Sequence, residues 1–451
     1  MGDRPEPSRY PLHEPSERVH HLHLHAGWRK SERDPSPKRH QFHGELEHAE
    51  LQPAGDCLRA LHLRGGDSER GQESREVLHH PVGASGEERG EPSDLARGKK
   101  MKKLAFVWVA LMSLAFSAAA QDISRVGTAA GQFLKLMVGA RAAALGGTAV
   151  SLSDEPASLY WNPGAISTLG RRTLFVSRSN LYDNAGIYHT FVGFVLPLPR
   201  SSALGLSVNY LGTDDIEITT LEQPNGMDTY YRAQDYAIGV SYARYVTDRL
   251  TIGLTVKFVS EGIWREKAQT LALDLGSLLD TGVLGMKLGM SLSNFGGNLR
   301  LRGPDLRVVH DRYSNNPAER SVDAELKTLE WPLPLTFRMG TAIELLGSQG
   351  QIAVSQQNQL TLSYELWDGM DSLMRAGFGA EYCWNAILFL RGGYYGLPMT
   401  KDKFGTYDTA SYTFGGGLQY DLGWAAFRLD YALANFQTLG NSHILSFMLK
   451  M

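Results

Sequence analysis

The sequence predicts an all-β protein: a transmembrane antiparallel β-barrel of about 14 strands with a short helical N-terminal plug segment. Three observations carry this expectation. An export signal stands at residues 101–120. From Arg172 onward, segments of about ten residues alternate apolar and polar side chains. The connections after even-numbered segments are short, and several of those after odd-numbered segments are long. The chain divides accordingly into an upstream extension (1–100), the signal (101–120), a periplasmic or plug segment (121–171) and the barrel (172–451).

The upstream extension does not read as a folding domain. Its aromatic residues are Tyr10, Trp28 and Phe42, and it is dense in charge, so it has little apolar surface to set against chain entropy. It also lacks Ile, Asn and Thr, although Asn and Thr are good loop residues. That pattern fits translated sequence upstream of the true start, or a disordered extension. The competing reading is a metal-binding arm, because His20, His21, His23 and His25 cluster in "HHLHLH". Cys57 stands alone there and no HExxH occurs, so no zinc module fits and no metal site is expected.

Met101 opens a conventional signal. Lys102 and Lys103 form its basic start, Leu104 to Phe116 its apolar core, and Ala118-Ala119-Ala120 its cleavage site. A membrane-spanning helix is the alternative, but the run sits at the lower length limit and ends in small residues. The mature chain is therefore expected to begin at Gln121. Over the whole sequence 45 Lys and Arg face 48 Asp and Glu, for a net charge of −3, which excludes a nucleic-acid footprint. Only Cys383 follows the signal, so no internal disulfide is available.

Strands are expected near 172–180, 188–196, 203–212, 234–246, 250–260, 268–279, 283–295, 333–345, 357–367, 373–384, 386–395, 411–421, 425–434 and 443–451. "LTIGLTVKFV" is the clearest: Leu250, Ile252, Leu254, Val256 and Phe258 share one face, opposite Thr251, Gly253, Thr255 and Lys257. Connections after even-numbered strands are short, for example "VTDR", "WN" and "DLGW". Long ones (Gly212–Ala233, Gly296–Pro332, Gly396–Ala410) follow odd-numbered strands. A bacterial outer-membrane barrel has short periplasmic turns and long external loops, and a periplasmic N-terminus gives this parity.

A membrane barrel turns its apolar face to lipid and its polar face to the lumen. Lys257, Asp274, Arg338, Glu344, Arg375, Glu381, Arg391, Arg428 and Asp430 occupy the minor, polar face and are expected to fill the lumen as a pairing network. Tyr210, Tyr245, Trp384 and Trp424 lie near strand ends, as interfacial girdles require. The glycine run Gly415–Gly417 is expected to give the barrel curvature.

Between signal and first strand, "GARAAALGGTAVSLSDEPASLYWNPGAIS" is rich in small residues and lacks strand alternation. It resembles the opening signature of the PorV/PorQ family of outer-membrane proteins, relatives of the FadL fatty-acid channels. Gly139, Ala140, Arg141, Ala142, Ala143, Gly146, Gly147, Asp154, Trp161, Asn162 and Pro163 carry the likeness. The closing hairpin, "GLQYDLGWAAFRLDYALANFQTLGNSHILSFMLKM", is similar to that family's end. Two departures stand out. Asn-Pro is followed by Gly164-Ala165 in reversed order, and the chain ends in Met451 where a Phe is usual. The resemblance implies a plug motif of Arg141, Asp154, Trp161, Asn162 and Pro163, with Arg141 and Asp154 placed to pair with each other or with lumen charges.

No constellation of catalytic residues appears: His189, His310 and His443 lie far apart, and no nucleophile motif accompanies them. The resemblance implies a non-enzymatic outer-membrane barrel, without cofactor, that takes part in protein export to the cell surface of the type IX kind. Its partners would be outer-membrane lipid, secretion machinery and exported cargo, with no nucleic acid. The alternative it implies is a FadL-like channel for hydrophobic small molecules. A charged, glycine-rich lumen favours the first reading. The long loop Gly296–Pro332 is expected to be either the partner-binding surface or a mobile loop with no such role.

Overall fold

A computed structural model describes residues 127–451 except 184, 284, 311–321, 349 and 399–410. The upstream extension and the export signal lie outside the described residues. The barrel strands are β1 (Thr173–Leu181), β2 (Ile187–Leu198), β3 (Ser202–Thr213), β4 (Ala233–Tyr245), β5 (Leu250–Ile263), β6 (Glu266–Asp280) and β7 (Lys287–Gly296). They continue with β8 (Thr336–Gly347), β9 (Asn358–Gly369), β10 (Arg375–Trp384), β11 (Leu388–Pro398), β12 (Ser411–Asp421), β13 (Ala426–Asn435) and β14 (Asn441–Lys450). Each pairs antiparallel with its sequence neighbours, and β14 pairs with β1 from Thr173↔Lys450 to Asn180↔His443, closing the ring. Expected and observed strands agree within a few residues at every position.

The alternation is turned inside out, as lipid demands. In β5, Ile252, Leu254 and Val256 are 46%, 42% and 47% exposed, while Thr251 and Thr255 are buried. In β13, Leu429 and Tyr431 face outward, whereas Arg428 and Asp430 are buried. Charges inside and leucines outside make sense only when hydrocarbon surrounds the protein.

One rim carries the turns 199–201, 246–249, 281–286, 385–387 and 422–425, and the other carries the long segments 214–232 and 297–335. Several connections depart from a strict alternation: at the long-loop rim 182–186, 370–374 and 436–440 span five residues each. Trp264 and Arg265 alone join β5 to β6 at the long-loop rim. At the short-turn rim, β8 and β9 are joined by 348–357, within which Ala353–Val354 pairs parallel to the end of β8. Trp384 and Trp424 are exposed at the short-turn rim, while Trp264 and Trp331 are exposed at the opposite one.

The wall bulges where β6 meets β7. The register skips between Leu273 and Leu275, and Asn294 takes a left-handed backbone (φ 67°). Two residues of β7 then face one of β6, and the extra residue drives Asn294 inward. Its amide N–H donates to Asp274 Oδ1 at 2.7 Å, which fills the gap in the ladder.

Residues 127–170 lie inside this ring. They comprise a 3-10 turn at Gln132–Lys135, α1 (Ala140–Ala144), α2 (Ser158–Trp161) and a second 3-10 turn at Pro163–Thr168. The segment does not stop at the short-turn mouth. Its first described residues reach the far rim, where Ala130 N–H donates to Pro332 O and Gly131 N–H to Glu261 Oε1. There Phe133 and Leu134 pack with Leu299 and Leu333. The plug thus runs the length of the lumen before entering β1.

The outward face carries the anchoring energy. Leu254→Arg is expected to destabilise the barrel by about 2–4 kcal/mol, the cost of a cation on the lipid face near the bilayer midplane. Denaturant titration in bilayers, read by heat-shifted migration on gels, measures it; an unchanged midpoint would contradict the lipid-facing assignment.

Candidate functional site

The plug is short and weakly helical, so propensity alone would not hold it. α1 spans five residues, Ala-Arg-Ala-Ala-Ala, with no side-chain cap. Wall residues supply what a longer helix would: Ser446 Oγ accepts the Ala140 N–H at 2.8 Å, and Thr413 Oγ1 both accepts from Gly146 N–H (3.1 Å) and donates to Ala144 O (3.0 Å). An apolar core forms between plug and wall, joining Val138, Leu145, Leu159, Trp161 and Ile166 to Phe175, Phe191 and Val195. The inward faces of β1 and β2 are therefore partly apolar.

Wall glycines let the plug backbone lie on the barrel. A Cβ at Gly393 would meet Gly146 N at 2.2 Å, and one at Gly289 would meet Val150 O at 2.1 Å. A Cβ at Gly415 would meet Ala144 Cβ at 2.6 Å. In the Gly415–Gly417 run, then, Gly415 makes room for α1, a use separate from curvature. The reversed Gly164-Ala165 order has the same cause. A side chain at 164 would sit 2.8 Å from Gly276 O, so glycine stands there, and buried Ala165 follows.

Arg141 is the centre of the first polar clamp, toward the short-turn rim. Its Nε and Nη2 donate to Glu381 at 2.9 and 2.6 Å, and its Nη1 donates to Asp154 Oδ1 at 2.6 Å. Glu381 also accepts from Arg391 at 2.5 Å, Arg391 Nη1 reaches Asp430 at 2.8 Å, and Arg428 pairs with Asp430 at 2.9 Å. Asp154 holds a left-handed backbone (φ 85°), unusual for a non-glycine residue. Its side chain meets Arg141 through the single Nη1 bond, while the bidentate contact of Arg141 is to Glu381. The three buried guanidiniums meet two buried carboxylates, Glu381 and Asp430, and the half-exposed Asp154, and this pairing is what permits their burial.

The second clamp holds the Asn-Pro element. Asn162 Nδ2 donates to Val150 O (2.7 Å) and to Ser277 O of β6 (2.9 Å), and its Oδ1 accepts from Gly164 N–H (3.1 Å). Glu365 takes the Val150 N–H at 2.9 Å and the Arg338 guanidinium at 2.9 Å. Arg338 lies over the Trp161 ring, 4.7 Å from its centroid, while Trp161 Nε1 donates to Val138 O at 2.9 Å. One asparagine and one glutamate thus read both backbone groups of Val150.

Of the charges expected in the lumen, Arg338, Glu381, Arg391, Arg428 and Asp430 join these clamps. Lys257 and Asp274 pair separately at 2.8 Å, beside the bulge at Asn294. Glu344 lines a cavity of about 170 Å³ at the short-turn mouth with Arg141 and Asp154, and Arg375 begins β10 at the long-loop rim. Glu365 and Asp371 were not singled out from sequence, although Glu365 holds the lumen parity in "LSYELW". Asp371 gave no periodic signal because it lies in a connection. Among the described residues, no group of His, Cys, Asp and Glu is arranged to hold a metal ion.

The fold and the clamps define a class: an outer-membrane β-barrel whose lumen is filled by its own N-terminal segment. Residues 118–277 match the family model described as Type IX secretion system protein PorV, in agreement with the resemblance drawn from the opening motif. The match takes in the plug and the first strands. No curated protein matches the chain. Similar solved structures include the Pseudomonas putida toluene transporter TodX, at 14% identity over 69% of this chain and 97% of that one, with TM-score 0.44. Two more are the Ralstonia pickettii toluene transporter TbuX (16%, 69% and 97%, TM-score 0.43) and a Pseudomonas aeruginosa FadL homologue (11%, 69% and 97%, TM-score 0.41).

Two outcomes follow from the clamps. Arg141→Met removes the bonds to Asp154 and one of the two guanidinium partners of Glu381. A loss of about 2 kcal/mol is therefore expected, with the plug becoming protease-sensitive while the barrel stays folded. At the far rim, Asp371 accepts from Lys135 Nζ at 2.8 Å and Gln132 Nε2 at 2.7 Å. Burial pushes the Asp371 carboxyl up, but the bonds from Lys135 and Gln132 outweigh it and hold the carboxyl below its usual range. Its folded value is depressed, so this contact contributes fully above the unfolded carboxylate value near about 4 and is lost as pH falls through the folded one. Hydrogen exchange at Gln132–Lys135 should rise in that acidic window, and Asp371→Asn should remove the dependence.

Proposed function

We infer that this barrel is a non-enzymatic component of protein export to the cell surface, acting at a shuttle or attachment step of the type IX kind. The observation that carries the reading is the state of the lumen. A plug clamped by Arg141–Glu381 at one level and by Asn162–Val150–Glu365 at another fills it, and the charges around it face inward. A conduit for hydrophobic molecules needs an apolar path, and polar clamps of this kind oppose one. A barrel that presents a rigid external surface needs its lumen stable instead. The PorV match over residues 118–277 supports the same reading.

With the short turns at the periplasm, the segment 214–232 and the described parts of 297–335 (297–310 and 322–335) stand outside the cell. Within the second, Arg307–His310 and Val322–Glu325 form an exposed two-stranded ribbon on which Val309 is 69% exposed. Exposed apolar strand edges of this kind recruit partners.

Deletion of the gene is expected to leave C-terminally tagged surface proteins trapped in the periplasm, as measured by comparing secreted and periplasmic proteomes. Unchanged release of those proteins would sink the export reading. If release is unchanged and uptake of a hydrophobic small molecule fails instead, the function is that of a FadL-like channel.

A further inference from the structure

On the outer wall, facing away from the plug, a groove of about 460 Å³ crosses β4 to β8. Its sides are Tyr242, Ile252, Leu254, Leu275, Leu292 and Phe337. The floor is low because Ser277 is a small residue in an outward row otherwise held by large apolar ones, with Gly253 and Gly276 beside it. From inside, the plug presses on the same glycines: a Cβ at Gly276 would lie 2.3 Å from Asn162 Oδ1, and one at Gly253 would lie 2.4 Å from the Pro163 carbonyl carbon. The wall here is one backbone thick, so the groove persists and is not filled from beneath.

Arg244 ends the groove on the short-turn side, one residue before the end of β4. Its register partners are Ser202 on β3 and Ile252 on β5, neither of them acidic. Among the described residues it lies within ion-pair distance of no carboxylate. A cation at the edge of the apolar belt, next to an apolar groove, matches a molecule with an anionic head and a hydrocarbon tail.

We propose that this groove is a binding site for one glycerophospholipid of the inner leaflet, with the phosphate on Arg244 and an acyl chain over Ser277. The site rests on the barrel's standing in an outer membrane with its short turns at the periplasm, and is independent of the choice between export and uptake. Arg244 selects the head group by charge-assisted hydrogen bonds, and the groove holds the chain by apolar contact.

The test is native mass spectrometry of the detergent-solubilised full chain, titrated separately with dioleoyl phosphatidylglycerol and with dioleoylglycerol, which lacks the phosphate. The intact chain should retain a single phosphatidylglycerol at a collision energy that strips dioleoylglycerol. Arg244→Gln should lower that retention about fivefold, the worth of one cation at a membrane surface. Ser277→Phe, which fills the groove, should abolish it, and Leu429→Phe on the opposite wall should leave it unchanged. Heat-shifted gel migration checks the fold of each variant, and the exposed Arg244→Gln carries the test if Ser277→Phe does not fold. Equal retention by the intact chain and the folded variants would overturn the site, as would equal retention of the two lipids. A dimer mass that disappears in Ser277→Phe would assign the groove to a second copy of the chain and equally overturn it.

Discussion

Inside hydrocarbon no water is available to satisfy a peptide group, and every other feature of this molecule answers to that condition. Strands cross the bilayer only if each amide finds a neighbour, and pairing of β1 with β14 from Thr173↔Lys450 onward removes the last free edges. Once the ring closes, the faces of each strand see different media. Leu254 and Leu429 must meet lipid, and Thr255 and Asp430 must meet whatever occupies the lumen. Closure creates the cavity that the N-terminal segment then fills.

Filling it raises a second problem, because fourteen strands turn many polar side chains inward and a short plug offers few partners. The solution is division of labour. Apolar contact over Phe175, Phe191, Val195 and Trp161 gives the plug its adhesion, and wall glycines let backbones touch. The ion chain from Arg141 to Arg428 contributes little net stability once desolvation is counted, since buried pairs often only break even. Its effect is positional. Displacing Arg141 leaves buried Glu381 with Arg391 alone and breaks the bond to Asp154, so one placement of the plug is preferred. The same holds for Asn162, whose amide finds both Val150 O and Ser277 O only at one height in the barrel.

The outer groove and the plug clamp share the thin wall at Gly253 and Gly276. Gly253 and Gly276 leave out their inward Cβ so that Asn162 and Pro163 can approach. The outward-facing Ser277 keeps the floor outside shallow, and Arg244 stands at the edge of that groove.

Period-2 alternation and loop-length parity made the barrel and its strand limits legible from sequence, because each is a local pattern set by a two-sided environment. Lumen charges could be assigned from parity alone, since a residue's face follows from its position in the strand. Their partners could not. Arg141 meets Glu381, far along the chain, and Glu365 meets the backbone of Val150, contacts that exist only once the ring has closed. Asp371 lay in a connection with no periodicity to mark it. Nothing in the sequence marks Gly253, Gly276, Gly289 and Gly393 as landing places for the plug, a use that emerges only from the fold. One-dimensional patterning determined which medium each side chain faces; three-dimensional closure decided which groups meet, because pairing energy depends on distances that no local pattern records.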